Sequence, residues 1–368
     1  MLKKIYIQLY GWMINRPRNF LGLLKNRELY DSQTYYSEFG HRKRNKFLVF
    51  IDQCKTICKY GSSNKYYFSY GFDVKSNQEQ EEYVHFNPFF RRICYLNHSP
   101  KFNCCSILRD KILFNIFANG IGLDTPQNIL YSANGHLYNY ETKKEIFPND
   151  ILNLGVQELF CKLIDGECGN GIFKLAIKDK KCYIDGQETT TEYIYKLLVS
   201  ARYLAQTVIS QHPLMASLHP QSINSLRLVT VKSLKDGIIR IWPSILRIGT
   251  GNNIVDNTSQ GGLCVGIDFN TSKLKEYGFF KPQYGRKTDI HPDSKIKFSE
   301  FELPFLNEAI KQAVYFHSML PEIQSIGWDI AIGEYGPIFI EGNDNWEING
   351  PQICNGGLNH LFKEQMFV

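Results

Sequence analysis

The 368-residue sequence contains no run of eighteen apolar residues, so no segment reads as a membrane-spanning helix. It shows no internal repeat and no low-complexity stretch, which sets aside solenoids and disordered arrays. Ten cysteines are scattered without a C-x-x-C pair, and Cys54 and Cys58 stand in a C-x3-C that has no matching second pair. A zinc module is therefore not indicated, and free thiols in a reducing cytoplasm are the plainer expectation. No G-K-[ST] opens a helix, so the chain has no P-loop. Nor does a Ser/His/Asp or Cys/His constellation stand out, so chemistry through a protein nucleophile has no candidate.

What is present is a globular composition, 43% hydrophobic and 14% aromatic, in a chain long enough for two or three packed layers or domains. The first twenty residues, "MLKKIYIQLYGWMINRPRNF", combine a basic lead with a short apolar stretch but lack a small-residue cleavage site, and are expected to be retained. Net charge is uneven. Residues 1–46 hold ten Lys/Arg against three acids, +7, and the remaining 32 against 33 give −1. With Tyr6, Tyr10, Trp12 and Phe20 interleaved, this region reads as a solvated helix with an apolar stripe or as a contact for an anionic membrane surface. Nucleic acid is disfavoured, since no RNA- or DNA-binding motif follows.

Residues 47–100 mix short apolar runs with polar connectors and give no clear fold. Beyond them, a helix is expected at 107–119, stopped by Gly120, then a β-rich stretch at 128–147 and a strand at 156–163. A Gly-rich turn at 165–171 leads to a strand at 172–178, a helix near 190–200 and a strand near 203–209. Strands at 223–232, 238–249 and 262–268 follow, then a helix near 302–320 and a hairpin at 326–343. Irregular alternation with hairpin-like connections argues for an α+β fold with mixed sheets.

The hairpin "IGWDIAIGEYGPIFIEGN" carries the sharpest signal. A three-residue loop, Glu334-Tyr335-Gly336, would face Gly333 with Pro337 and set Asp329 directly across from Glu341. Trp328, Ile330, Ile332, Ile338 and Ile340 would then share an apolar face, with Asp329, Glu341 and Asn343 on the other. Two carboxylates about 5 Å apart at Cβ repel unless a cation lies between them. Hard oxygen donors of this kind suit Mg²⁺ shared with substrate phosphates. A solvated edge hairpin and a glycosidase-like acid pair are the competing readings.

Two other stretches have phosphate-binding character. "ELFCKLIDGECGNGIFKL" sets Lys162 at a strand end before a turn holding Gly166, Gly169 and Gly171, where backbone N–H groups can approach phosphate oxygens. "SINSLRLVTV" and "SILRIGTGNNIVDNTSQGG" place Arg227 and Arg247 inside apolar strands, with Asn257 downstream. An ordinary hairpin and surface arginines are the plainer alternatives.

Taken together, "QHPLMASLHPQSINSLRLVTV", "LRIGTGNNIVDNTSQGG" and "IGWDIAIGEYGPIFIEGN" resemble the ATP-grasp superfamily, and most closely its sugar-transfer-associated members, over roughly residues 105–360. The resemblance implies an ATP-grasp fold, two α+β lobes gripping ATP, at 101–368 with a lid-like segment at about 150–205. It does not extend to residues 1–100, which read from composition as a basic, aromatic, partly helical region of uncertain fold. It implies Lys111 and Lys162 as nucleotide-contacting lysines, a lid turn with Gly169 and Gly171, and a hinge at Gln206, Thr207 and Ile209. It implies Asp329, Glu341 and Asn343 as ligands of Mg²⁺, as two ions with Mn²⁺ as a substitute. Arg247 with Asn257 would lie near the transferring phosphoryl group, and in the ligase reading Arg227 would hold the acceptor carboxylate or the acyl phosphate.

The implied activity is a cytoplasmic ATP-dependent carboxylate–amine ligase acting through an acyl phosphate, on a sugar acid or amino acid in surface polysaccharide biosynthesis. A phosphotransferase and a non-catalytic scaffold are the alternatives. The implied partners are a small-molecule or glycan-linked carboxylate and an amine, with no nucleic acid and with peripheral membrane contact through residues 1–46. His212, His219 and residues 345–352 are expected toward the acceptor end, with a structural role open for the two histidines.

Overall fold

The structure is a computed structural model that describes residues 14–32, 44–98, 103–166, 171–256, 261–280 and 287–367. Helix α1 (Arg16–Lys25) leads to α2 (Lys46–Tyr60), whose start is capped by the Asn45 side chain accepting from Leu48 N. A short helix α3 (Asn77–Gln80) precedes α4 (Phe86–Asn97), α5 (Cys105–Arg109) and α6 (Lys111–Gly120). One helix was expected across 107–119. The chain instead breaks at Asp110, which leaves helical geometry and accepts from Ile112 N and Leu113 N as the cap of α6.

Strands β1 (Asn128–Ala133), β2 (His136–Asn139) and β3 (Glu145–Ile146) come next, then β4 (Glu158–Leu163), β5 (Phe173–Lys178), β6 (Lys181–Ile184) and β7 (Gln187–Thr189). After α7 (Thr191–Val199) and β8 (Tyr203–Thr207) they form a sheet of order β3-β2-β1-β8-β4-β5-β6-β7. Leu130, Leu159, Leu175 and Cys161 pack there against Ile194 and Leu198 of α7.

The second sheet follows α8 (Pro213–Leu218). Its strands are β9 (Leu226–Lys232), β10 (Ile239–Ile248), β11 (Leu263–Asp268), β12 (Lys273–Phe280) and β13 (Lys287–Thr288), then, after α9 (Leu306–Ser318), β14 (Ser325–Gly333) and β15 (Gly336–Asn343). Their order is β13-β12-β11-β10-β9-β14-β15. Helices α10 (Asn349–Asn355) and α11 (Asn359–Met366) close the described chain. The α+β expectation stands, but the expected mixed sheets do not: among the described residues every strand pair is antiparallel, as hairpin-like connections between neighbouring strands favour. Strands β6, β7, β12 and β13 were not anticipated.

Alternation along β9 and β14 sorts the second sheet. Leu228, Trp328 and Ile330 pack with Phe114 of α6 and Phe316 of α9 into the largest core cluster. The opposite face carries Val229, Val231 and Trp242, covered by Phe89 and Ile93 of α4, with Trp346, Ile348 and Phe362. Farther along it, Val49, Tyr67, Tyr70 and Phe72 pack on Ile245, Cys264 and Ile353. Residues 44–97 are thus layered onto this same sheet face. The part they leave uncovered is the floor of a cleft.

The hairpin departs from expectation in one informative way. Its loop has two residues, Glu334 and Tyr335, because Gly336 pairs with Gly333 and Pro337 with Ile332. A bulge between Ile330 and Asp329 inserts Ile340 and restores the pairing of Asp329 with Glu341. The apolar face therefore holds Phe339 in place of Ile338 and Ile340, both of which are only half-buried.

Candidate active site

A cleft of about 780 Å³ lies over the exposed part of that face and reaches up to β4 and β8 of the first sheet. Asp329 of β14 pairs directly with Arg227 of β9, and Arg227 with Ile245 of β10, which puts their side chains on one face. Arg227 Nη2 donates to Asp329 Oδ2 at 2.9 Å, and its Nε reaches Oδ1. Arg247 Nη2 reaches Oδ2 at 2.7 Å. Asp329, only 3% exposed, is thereby held by two guanidiniums that lower its pKa below the usual carboxylate range against the cost of burial.

Glu341, across the strand pair, has no such clamp. Burial, followed by the Asp329 charge, pushes its carboxyl up, opposed by Lys111 and Lys162. Lys111 Nζ lies 3.9 Å from Glu341 Oε2 and donates to Gly166 O at 2.7 Å, which ties the base of the β4–β5 loop to the start of α6. Lys162, buried on β4, is pushed down to about 8 by desolvation, with Glu341 pulling upward and Lys111 downward. Asn343 Nδ2 donates to Gly327 O at 3.3 Å and to Glu341 Oε1 at 3.4 Å.

The donor set suits a hard divalent cation. Two carboxylates and a carboxamide face one cleft, and burial together with the Asp329 charge holds the Glu341 carboxyl above its usual range despite the two lysines. Glu341 Oε2 and Asn343 Oδ1 are the oxygens a cation would take first, since both Asp329 oxygens are engaged by arginine.

Of the residues expected from sequence, Lys111, Lys162, Gln206, Thr207, Ile209, Arg227, Arg247, Asp329, Glu341 and Asn343 all line this cleft. Gly171 stands at φ 68° beyond the lining residues, and Gly169 and Asn257 lie outside the described residues. The Gln206 side-chain nitrogen is committed elsewhere, donating to Asn128 Oδ1 at 2.7 Å, and its backbone pairs with Asn128 and Phe160 in the sheet. His212 caps α8 by accepting from Leu214 N, and buried His219 bonds Ser222 and Gly251 O. Both have structural duties.

Three features were missed. Asp256, a half-buried third carboxylate, accepts from Ser225 N at 2.9 Å and from Ser225 Oγ, and sits 3.9 Å from Arg247 Nε. Burial raises its pKa, opposed by Arg247. Its position beside Asn257 in a motif already singled out was the available signal. Ile340 reaches the cleft only through the bulge, and Tyr66, Phe86 and Phe90 enter it from the segment whose fold could not be read.

A family model described as sugar-transfer associated ATP-grasp matches residues 91–365. No curated protein matches. Similar solved structures include an L-amino acid ligase from Bacillus licheniformis, 10% identical with a TM-score of 0.37 over 68% of this chain and 43% of that one. Another is an N5-carboxyaminoimidazole ribonucleotide synthetase from Thermus thermophilus, at 12%, 0.38, 70% and 52%. A D-alanine–D-alanine ligase from Helicobacter pylori gives 14%, 0.35, 70% and 55%. The chain spans about half the length of these structures, and likeness at such scores carries no functional argument.

Proposed function

The chain belongs to the sugar-transfer associated ATP-grasp family and has the ATP-grasp fold, and from that premise we propose that it is an ATP-dependent carboxylate–amine ligase. The observation that carries this reading is the convergence of Asp329, Glu341, Asn343, two arginines and two buried lysines on one cleft. Such a cleft aligns and neutralises anions.

In the first step a substrate carboxylate oxygen attacks the γ-phosphorus of ATP and ADP leaves, giving an acyl phosphate. In the second an amine attacks the carbonyl and phosphate departs, giving the amide. Lys111 and Lys162 would neutralise nucleotide phosphates. Arg227 and Arg247 would share their donors between Asp329 and the oxygens of the carboxylate and transferring phosphoryl group. Gln206, Thr207 and Ile209 would present backbone groups to the adenine. Mg²⁺ held by Asp329, Glu341 and Asn343 would offset charge on the phosphates. Removing one aimed donor from such a site costs about 10²–10³ in rate.

The family's sugar-transfer association supports surface polysaccharide assembly, with a sugar acid or amino acid as donor. Exposed Leu21 and Leu24 beside Arg18 and Lys25 on α1 support peripheral contact with an anionic membrane. No helix among the described residues is long and apolar enough to cross one. Binding to anionic vesicles should weaken in an Arg18→Gln/Lys25→Gln variant, and unchanged binding would refute the contact.

The activity is tested by following ADP release with panels of sugar acids and amino acids, with and without primary amines. Amine-dependent release with an amide product supports the ligase. A stable phosphorylated product without amine would make the protein a phosphotransferase, and tight ATP binding without turnover a scaffold.

A further inference from the structure

The cleft has two chemically different ends, and the second sheet orders them. Glu341 lies on edge strand β15, followed inward by Asp329 on β14, Arg227 on β9 and Arg247 on β10. Beyond the arginines the floor becomes apolar with Ile245 and Cys264, where Arg247 pairs with Cys264 across β10 and β11. Tyr66 packs there against the cluster that holds both residues. Beside Tyr66 stands the exposed carboxylate of Glu347, whose Oε2 accepts from the Tyr66 hydroxyl at 3.5 Å, and Phe86 and Phe90, stacked at 5.3 Å, line the same cleft, Phe90 packing in the cluster that holds Trp346, the neighbour of Glu347.

Arg227 and Arg247 border this end. Apart from them and the two lysines, the lining cation among the described residues is Arg109, which is held by Asp344, donating to Oδ1 at 2.9 Å and to Oδ2 at 2.8 Å. Beyond Arg247 this end is aromatic and anionic, in contrast to the arginine- and lysine-rich nucleotide side. Aromatic faces with a carboxylate recognise an organic cation. Anionic reactants have no attraction to it.

We propose that this end binds the amine substrate as its ammonium ion, over Tyr66, Phe86 and Phe90 with Glu347 as counter-charge. The inference rests on the ligase reading and adds to it the class and the place of the second substrate: a primary ammonium on an apolar carbon frame. The order across the sheet then matches the order of reaction, with nucleotide, transferring phosphoryl group and carboxylate, and amine side by side. Before attack, the ammonium gives one proton to water at solvent-exposed Glu347. The nitrogen lone pair forms the C–N bond, the carbonyl–phosphate C–O bond breaks, and the second nitrogen proton leaves on the phosphate.

The test uses n-butylammonium as probe on the full chain, with butan-1-ol and methyl β-glucoside as neutral controls, read by saturation-transfer NMR at millimolar concentration. Butylammonium should bind about tenfold more tightly than butan-1-ol, the worth of a charge and cation–π contact. Glu347→Gln should remove that margin and Phe90→Leu should reduce it, both with unchanged ATP affinity and thermal unfolding. Absence of transfer to butylammonium, a preference for either neutral probe, or an unaffected Glu347→Gln would overturn the inference. The two readings separate cleanly. Butylammonium binding through Glu347 without amine-dependent ADP release sinks the ligase and leaves the site. Amine-dependent release with an unchanged amine KM in Glu347→Gln sinks the site and leaves the ligase.

Discussion

Asp329 and Glu341 are paired residues of one hairpin, yet neutralising each should move stability in opposite directions and activity in the same one. Asp329 is buried between two guanidiniums, so Asp329→Asn leaves Arg227 and Arg247 without their shared counter-charge. Breaking a buried ion pair by removing one partner costs about 3–5 kcal/mol. With an unfolding entropy of about 2.1 cal/mol/K per residue, 368 residues correspond to about 1.3 °C per kcal/mol, a fall in Tm of about 4–6 °C. Glu341→Gln instead removes a charge that burial and Asp329 both oppose, so metal-free Tm at pH 7 should rise.

The pH dependence follows from the two directions. The depressed Asp329 carboxyl contributes stability above its unfolded pKa of about 3.9, and this is lost as pH falls through the folded value. The Asp329→Asn deficit should close on acidification. The raised Glu341 carboxyl favours the folded state below its unfolded pKa of about 4.3 and loses that as pH rises through the folded value. The Glu341→Gln gain should open with pH. Both variants should lose about 10²–10³ in Mg²⁺-dependent ATP turnover. Differential scanning calorimetry from pH 3 to 8, beside an ADP-release assay, decides the matter. Equal destabilisation by both substitutions refutes the electrostatic argument, and unchanged turnover in both refutes the ligand set.

Lys162, pushed down to about 8, must be protonated to meet phosphate, so ATP affinity by calorimetry should fall as pH rises through 8, and Lys162→Met should flatten the profile. A wild-type affinity flat from pH 7 to 9 would refute a phosphate contact through a lysine of lowered pKa, and an unchanged affinity in Lys162→Met at pH 7 would refute the phosphate contact itself. Gln206→Ala should leave ATP affinity within about threefold while losing about 1 kcal/mol of stability, because its side chain serves Asn128. A large loss of affinity would show that the amide turns to the nucleotide. Gly262→Ala would bring a Cβ within 2.5 Å of the Asp256 carbonyl oxygen and 2.9 Å of that of Ile248. It should cost about 1–3 kcal/mol by thermal melting and disturb Asp256 beside Arg247. An unchanged melting curve would mean the loop is looser than drawn.

How far the site could be read in advance depended on whether the signal was local. The period-two pattern around Asp329 and Glu341, the lysine before the glycines and the strand arginines are local, and each marked a residue that does line the cleft. Asp110 as a helix breaker was local too, but its capping bonds depend on a competition between helix and cap that composition does not settle. The hairpin shows the limit most sharply. The facing of Asp329 and Glu341 followed from an assumed three-residue loop, whereas the chain makes a shorter loop and recovers the pairing with a bulge at Ile340. The chemistry was legible because the polar residues had to share a face. The way in which the backbone achieves that was not.

The α+β class, the family, and the hard-ligand and cationic residues of one cleft are legible in the local order of residues. It takes the packed fold to share Asp329 between two arginines, to join Asp256 to them through Ser225, and to bring Tyr66, Phe86 and Phe90 into the cleft with Glu347. Those contacts join residues far apart in the chain, and no local propensity encodes them. The arginine clamp forms when β14, β9 and β10 pair in the second sheet, and the aromatic lining from Tyr66, Phe86 and Phe90 arrives when residues 44–97 fold back over that sheet.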